Sequence, residues 1–193
     1  MKKKEYEEIK MVSEKLLCKN GKELKIATIG PKEAEQFLKF MKQVTGETHF
    51  MSRYEDEVDL SDKSIEAERK RQKILFEDER QTMISIFDED RIIGNIAIRT
   101  QGKSRKTDHR CAMGLGILKE YHGYGLGTLL MERGLAFAKE AGYQCVELGV
   151  LADNVAARSL YKKMGFEESG CLPGAFHLDD GRWIDEISMY KKI

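Results

Sequence analysis

Tyr121-His122-Gly123-Tyr124-Gly125-Leu126-Gly127-Thr128 is the stretch whose reading decides the fold. Residues 110–118 before it read as a strand. Residues 125–142 read as a helix, with Leu129, Leu130, Leu135, Phe137 and Ala138 as its apolar contacts and Gly142 to end it. A glycine-rich turn between strand and helix has two physical consequences. Missing side chains let a ligand approach the main chain, and glycine tolerates the dihedrals required. The first helical turn also presents unpaired N–H groups and the positive end of its dipole, so the turn is an anion site.

The spacing limits which anion. No lysine precedes Thr128, so this is not the phosphate loop G-x-x-x-x-G-K-[ST]. Leu130 stands where a dinucleotide fingerprint wants its third glycine, and several strands precede the motif rather than one. A second reading stays open on spacing alone, in which the glycines serve only close helix–sheet packing.

Outward from the loop, the chain alternates elements. Residues 82–87 and 92–99 are strands joined by Asp88-Glu89-Asp90. Residues 145–151 form a buried strand, 154–164 a short helix ending at Gly165, and 166–171 and 182–190 the last strands, with Asp180-Gly181 as a turn between them. Upstream, residues 31–44 carry Ala34, Phe37, Leu38 and Met41 on one helical stripe. Ser61 or Asp62 caps a second helix reaching Phe76, with Ile65, Ile74 and Leu75 on its buried side. Residues 1–20 form an extension with two readings. Ile9, Val12 and Leu16 have helical spacing, whereas 15–18 pairs as a strand with 23–28 through Asn20-Gly21. Residues 21–193 then form one α/β domain, a single mixed, mostly antiparallel central sheet flanked by helices.

Composition narrows the function. The 193 residues carry 33 basic and 33 acidic side chains, a formal net charge of zero. General nucleic-acid binding needs a basic excess and is not expected. No apolar run approaches a membrane span, so no membrane partner is expected, and a cytoplasmic location is. Cys18, Cys111, Cys145 and Cys171 lack metal-ligand spacing and have mostly apolar neighbours, so buried free thiols and no metal are expected.

Residues 121–130 resemble the pyrophosphate-binding signature of the GNAT superfamily of N-acetyltransferases, an Arg or Gln followed by x-x-G-x-G or x-x-G-x-A. Gly125 and Gly127 match the small positions, and His122 stands where Arg or Gln is usual. A second match follows: Asn154, then Ala156-Ala157, Leu160-Tyr161 and Gly165-Phe166. The resemblance covers residues 92–193, and more loosely the first half. It implies acetyl-CoA as co-substrate and the GNAT-like acyl-CoA N-acyltransferase fold. His122, Gly123, Tyr124, Gly125, Leu126, Gly127 and Thr128 would hold the pyrophosphate. The backbone of Gly116, Ile117 and Leu118 would hold the pantetheine arm, with Asn154, Ala157 and Tyr161 beside it. Asn154 and Tyr161 are two helical turns apart, hence on one helix face. By resemblance Tyr161 is the general acid that protonates the leaving thiolate.

The base is less defined. The strand at 110–118 offers no carboxylate, so Glu147 on the next strand is the candidate carried forward, with His177, Asp185 and Glu186 behind it. The expected reaction is acetyl transfer to a primary amine of a small molecule or peptide by direct attack on the thioester. A catalytically silent acetyl-CoA sensor and a nucleotide-binding regulatory domain are the competing classes. Glu47, Glu55, Asp56, Glu57 and Asp59 either hold a cationic amine or are a solvated loop, with His49, Phe50 and Tyr54 on the same cleft. Dimers are frequent in the family, which adds a homodimer to the expectations.

Overall fold

Among the described residues, eight strands form one sheet in the computed structural model, which describes residues 13–17, 22–102 and 104–193. In chain order, β1 (Ser13–Leu17) and β2 (Glu23–Thr28) precede α1 (Ala34–Glu47) and α2 (Asp62–Glu77). Then come β3 (Thr82–Asp88), β4 (Arg91–Thr100), β5 (Arg110–Ile117) and α3 (Leu126–Glu140). The chain ends with β6 (Cys145–Leu151), α4 (Val155–Lys163), β7 (Glu167–His177) and β8 (Trp183–Lys192). The sheet order is β1-β2-β3-β4-β5-β6-β8-β7, and every neighbouring pair is antiparallel except β5 with β6.

Helices cover both faces, and strand composition reflects it. Ile92, Ile93, Ile96 and Ile98 are fully or almost fully buried, so β4 is apolar on both sides. One face carries Gly116 of β5, where a Cβ would meet Phe40 and Val44 of α1. Arg71 of α2 reaches Met83 on that same face. The other face carries Ile96 and Met113, against which α3 lies so closely that a Cβ at Gly134 would come within 2.8 Å of Ile96 Cδ1. Leu160 of α4 sits with Ile117 against Gly127 on this second face.

The N-terminal alternatives resolve toward the strand at the described positions. Ser13–Leu17 pairs with β2, from Ser13 opposite Ala27 to Leu17 opposite Glu23. Ile9, Val12, Cys18 and the turn at Asn20-Gly21 lie outside the described residues.

Three expectations need correction. Ile74 is 66% exposed rather than buried, because α2 turns Glu68, Gln72 and Leu75 inward, and Ile74 falls off that stripe. The polar pair is tolerated there because Glu68 accepts from Arg71 at 2.7 Å and 2.5 Å, and from Gln72 at 2.8 Å. Cysteine burial is graded rather than uniform: Cys111 is buried in β5, Cys145 half-buried and Cys171 exposed, all three free. The strand expected over 166–171 continues as β7 to His177, past Pro173, which β7 accommodates as the sheet's edge strand with register irregularities at 168/170 and 172/176. The helix boundary at Ser61 holds, its Oγ accepting from Ser64 N.

Candidate active site

The one parallel pair of the sheet is short. β5 and β6 match only at Arg110–Cys145, Cys111–Val146 and Ala112–Glu147. Beyond these, Met113–Ile117 of β5 pairs with β4 on one side and with no described strand on the other. Main-chain groups along that edge face a gap between the strands. The gap runs toward the glycine loop, since residues 118–125 follow β5 directly.

In the loop, Gly123 has φ +83 and Gly125 φ +82, the left-handed region that a side chain would strain. Gly125 is the N-cap of α3, and no side chain caps the helix. The N–H groups of Leu126, Gly127 and Thr128 therefore point out of the first turn without an intrahelical acceptor. A Cβ at Gly127 would meet Leu160 Cδ2 at 3.0 Å, so the alternative packing role of this glycine is also real, and it joins α3 to α4. Positive φ at two exposed positions with open space around them is what packing alone does not require. His122 folds back, its Nε2 3.0 Å from the Ile117 carbonyl oxygen at the end of β5. Tyr121 is buried beneath the loop with its hydroxyl on Asp88, and Tyr124 is 38% exposed beside it.

The residues expected on the helix after β6 separate into two roles. Asn154 stands just before α4 as its N-cap, and its Oδ1 accepts from Ala157 N at 3.1 Å. Tyr161 lies in the core against Phe166, ring centroids 6.0 Å apart. Its hydroxyl makes no hydrogen bond to any described residue, and burial pushes its pKa up to about 12. It therefore keeps its proton throughout the physiological range.

Glu147 is held by Arg110, which donates Nε to Oε1 and Nη2 to Oε2, the latter at 2.7 Å. Both carboxylate oxygens are thus engaged by one guanidinium. Nothing in the sequence announced this pair, because Arg110 and Glu147 become neighbours only through the parallel register of β5 and β6. The two line an open cleft of roughly 530 Å³ on the face away from α3 and α4, shared with Gly149, Glu186, Ser188 and Tyr190. His177 stacks on Trp183 in the β7–β8 hairpin, and Asp185 accepts from Gly174 N at 2.8 Å.

Three carboxylates of the acidic stretch from the end of α1 to the start of α2 accept hydrogen bonds. Glu47 accepts from Lys119 N at 2.7 Å, and Glu57 accepts from Tyr54 N at 2.7 Å. Asp59 accepts from the Ser61 and Ser64 hydroxyls, each at 2.6 Å, and from Ser61 N at 2.9 Å. These bonds, those from Ser61 first, hold its carboxyl down to about 2. Two residues tie this segment to the loops after β6 and β7. His49 Nε2 lies 2.8 Å from Asp153 Oδ2, and Tyr54 Oη accepts from Asp179 N at 2.7 Å. Among the described residues no group of three or more His, Cys, Asp or Glu is placed to hold a metal. No helix among them is long and apolar enough to cross a membrane.

Comparison with known proteins places these features in one family. The model of the acetyltransferase (GNAT) family matches residues 44–166, more than half of the chain. The chain belongs to this family of N-acetyltransferases, whose co-substrate is acetyl-CoA. It is 35% identical over 80 residues to N-alpha-acetyltransferase 30 of Schizosaccharomyces pombe, covering 42% of this chain and 53% of that one. It is 33% identical over 90 residues to the ribosomal protein bS18-alanine N-acetyltransferase of Haemophilus influenzae, covering 47% and 58%. The chain thus spans about half the length of these curated relatives. An acetyltransferase of the GNAT family from Streptococcus pneumoniae superposes with a TM-score of 0.79 at 28% identity, over 88% of this chain and 99% of that one.

Proposed function

We propose that the chain transfers the acetyl group of acetyl-CoA to a primary amine by direct attack on the thioester, with Tyr161 as general acid. The observation that carries this reading is the gap between β5 and β6, with the uncapped glycine turn at one end and the unpartnered Tyr161 hydroxyl on the α4 side. The glycine turn takes the pyrophosphate on main-chain N–H groups. The free edge of Met113–Ile117 takes the pantetheine amides as a further strand would. His122 supports the end of that edge through Ile117 rather than reaching outward to the phosphates.

The chemistry balances within this frame. The amine nitrogen bonds to the carbonyl carbon, the carbon–sulfur bond breaks, and the amine gives up one proton. The Tyr161 proton goes to the departing sulfur, and the tyrosinate is reprotonated by the proton the amine released. A phenol at about 12 is a weaker acid than a thiol at about 8.5. Its proton therefore crosses only as the adduct collapses, and before that it stabilises the developing thiolate by hydrogen bonding.

The acceptor is a small-molecule amine or a peptide amine. One relative is named as an N-alpha-acetyltransferase and another as an N-acetyltransferase of ribosomal protein bS18 alanine, and this favours a peptide N-terminus for the first trials. Thiol release from acetyl-CoA is to be followed with spermidine, an aminoglycoside and a peptide with a free N-terminal alanine. With the best acceptor, Tyr161→Phe is expected to lower turnover at saturating acetyl-CoA about 100-fold, with acetyl-CoA affinity within a few fold. Turnover near the unsubstituted rate removes Tyr161 from the chemistry. Tight acetyl-CoA binding with no thiol release for any amine assigns the chain to the sensor class instead.

A further inference from the structure

Two carboxylates, Glu147 and Glu186, line the open face of the cleft, and their situations differ. Glu147 is locked by Arg110. Glu186, half-buried on β8, has no hydrogen bond or ion pair with any described residue. Its position depends on a glycine. A Cβ at Gly149 would lie 2.1 Å from Glu186 Oε1 and 2.9 Å from its Cδ. The carboxylate thus rests on the bare main chain of β6, in space any other residue at 149 would fill. Gly149 is the second residue beyond Glu147, the last β6 residue paired with β5, so this carboxylate sits beside the opening of the gap.

The sheet separates the two ends of the reaction. Tyr161 belongs to the α3–α4 side, where α4 lies with α3 against Ile117. Arg110, Glu147 and Gly149 face the other side by their strand register, and the Glu186 side chain lies over Gly149 there. A thioester lying in the gap has the phenol on one side and an unpaired carboxylate on the other. The other ionisable groups lining this cleft are Glu147, with Arg110 on it, Cys145, whose thiol lies 3.9 Å from Glu147 Oε1, and Tyr190, whose hydroxyl donates to Glu167 at 3.2 Å. Each already has a partner, and the half-buried free carboxylate is the one left to meet a cation.

We propose that Glu186, seated on Gly149, receives the acceptor ammonium on the open face of the sheet and takes its proton, leaving the neutral amine to attack. This rests on the acetyl-transfer reading and names the base within it. The proton moves from the amine nitrogen to a Glu186 oxygen and leaves to water. The C–N and C–S changes are as already described.

The test uses the full chain, acetyl-CoA, and two acceptors: the best amine from the trials above, and hydroxylamine, which is largely unprotonated at pH 7. Glu186→Gln is expected to lower kcat/KM for the protonated amine about 100-fold and for hydroxylamine only a few fold, with calorimetric acetyl-CoA affinity unchanged. Gly149→Ala is expected to reproduce this selective loss by displacing the carboxylate. Wild-type rates in Glu186→Gln, or an equal loss with both acceptors, overturn the assignment. Failure of the unsubstituted chain to bind acetyl-CoA is a different result, and it overturns acetyl transfer rather than the role of Glu186.

Discussion

Asp59 is fixed by local hydrogen bonding from its neighbours along the chain. Its carboxylate takes bonds from Ser61 and Ser64 at the start of α2, which hold its pKa down to about 2. The native state therefore favours the charged form. Its contribution is fully present above the ordinary carboxylate value of about 4 and is lost as pH falls toward 2. Asp59→Asn is expected to lower the melting temperature at pH 7 by a few degrees, with the difference shrinking below about pH 4, as followed by circular dichroism. A difference that stays constant down to acid pH assigns the effect to shape rather than charge. Spacing put Asn154 and Tyr161 at the helix after β6 and the loop glycines in the turn before α3, which is where they lie. It did not reveal that Asn154 caps a helix or that Glu147 is bound by Arg110. Those facts depend on dihedrals and strand register, which motif spacing does not contain.

At the scale of elements, the turn into α3 is the proposed pyrophosphate site, and its conformation is what a test of binding can perturb. Gly125 has φ +82 and nothing within 4 Å of a Cβ placed there. Gly125→Ala therefore meets no clash, and its cost is backbone strain of about 1–2 kcal/mol. The expected outcome is a slightly lower melting temperature and a weaker calorimetric acetyl-CoA affinity, about tenfold or more as the turn relaxes. Unchanged affinity removes the turn from the binding site. Most element boundaries were legible because apolar period and glycine punctuation agree. The inner face of α2 was not, because its buried positions include Glu68 and Gln72, and the bonds Glu68 accepts from Arg71 and Gln72 are what make that burial tolerable. β7 beyond Pro173 was hidden because proline ordinarily ends a strand, and its place at the sheet's edge is a tertiary fact.

For the molecule as a whole, the three described cysteines sample the sheet from centre to edge. Cys111 lies in β5 near the centre, and burial raises its pKa to about 12. Cys171 lies exposed on edge strand β7. A thiol reagent is expected to label Cys171 at once and Cys111 only through opening of the sheet, read by peptide mass spectrometry over time. Because Cys111 stays neutral in the fold while an unfolded thiol ionises near pH 8.5, stability should fall as pH rises from about 8.5 toward 12. Equal labelling rates would mean that the centre of the sheet opens as readily as its edge.

The short seam between β5 and β6 bears on stiffness. Three paired positions join the β1–β5 half of the sheet to the β6–β8 half. On the proposed reading, a linear co-substrate laid along the gap supplies the rungs the polypeptide omits, so loading braces the two halves and release of the product slackens them. On that view each turnover is also a mechanical cycle, in which the small molecule is for a moment a girder of the protein it visits.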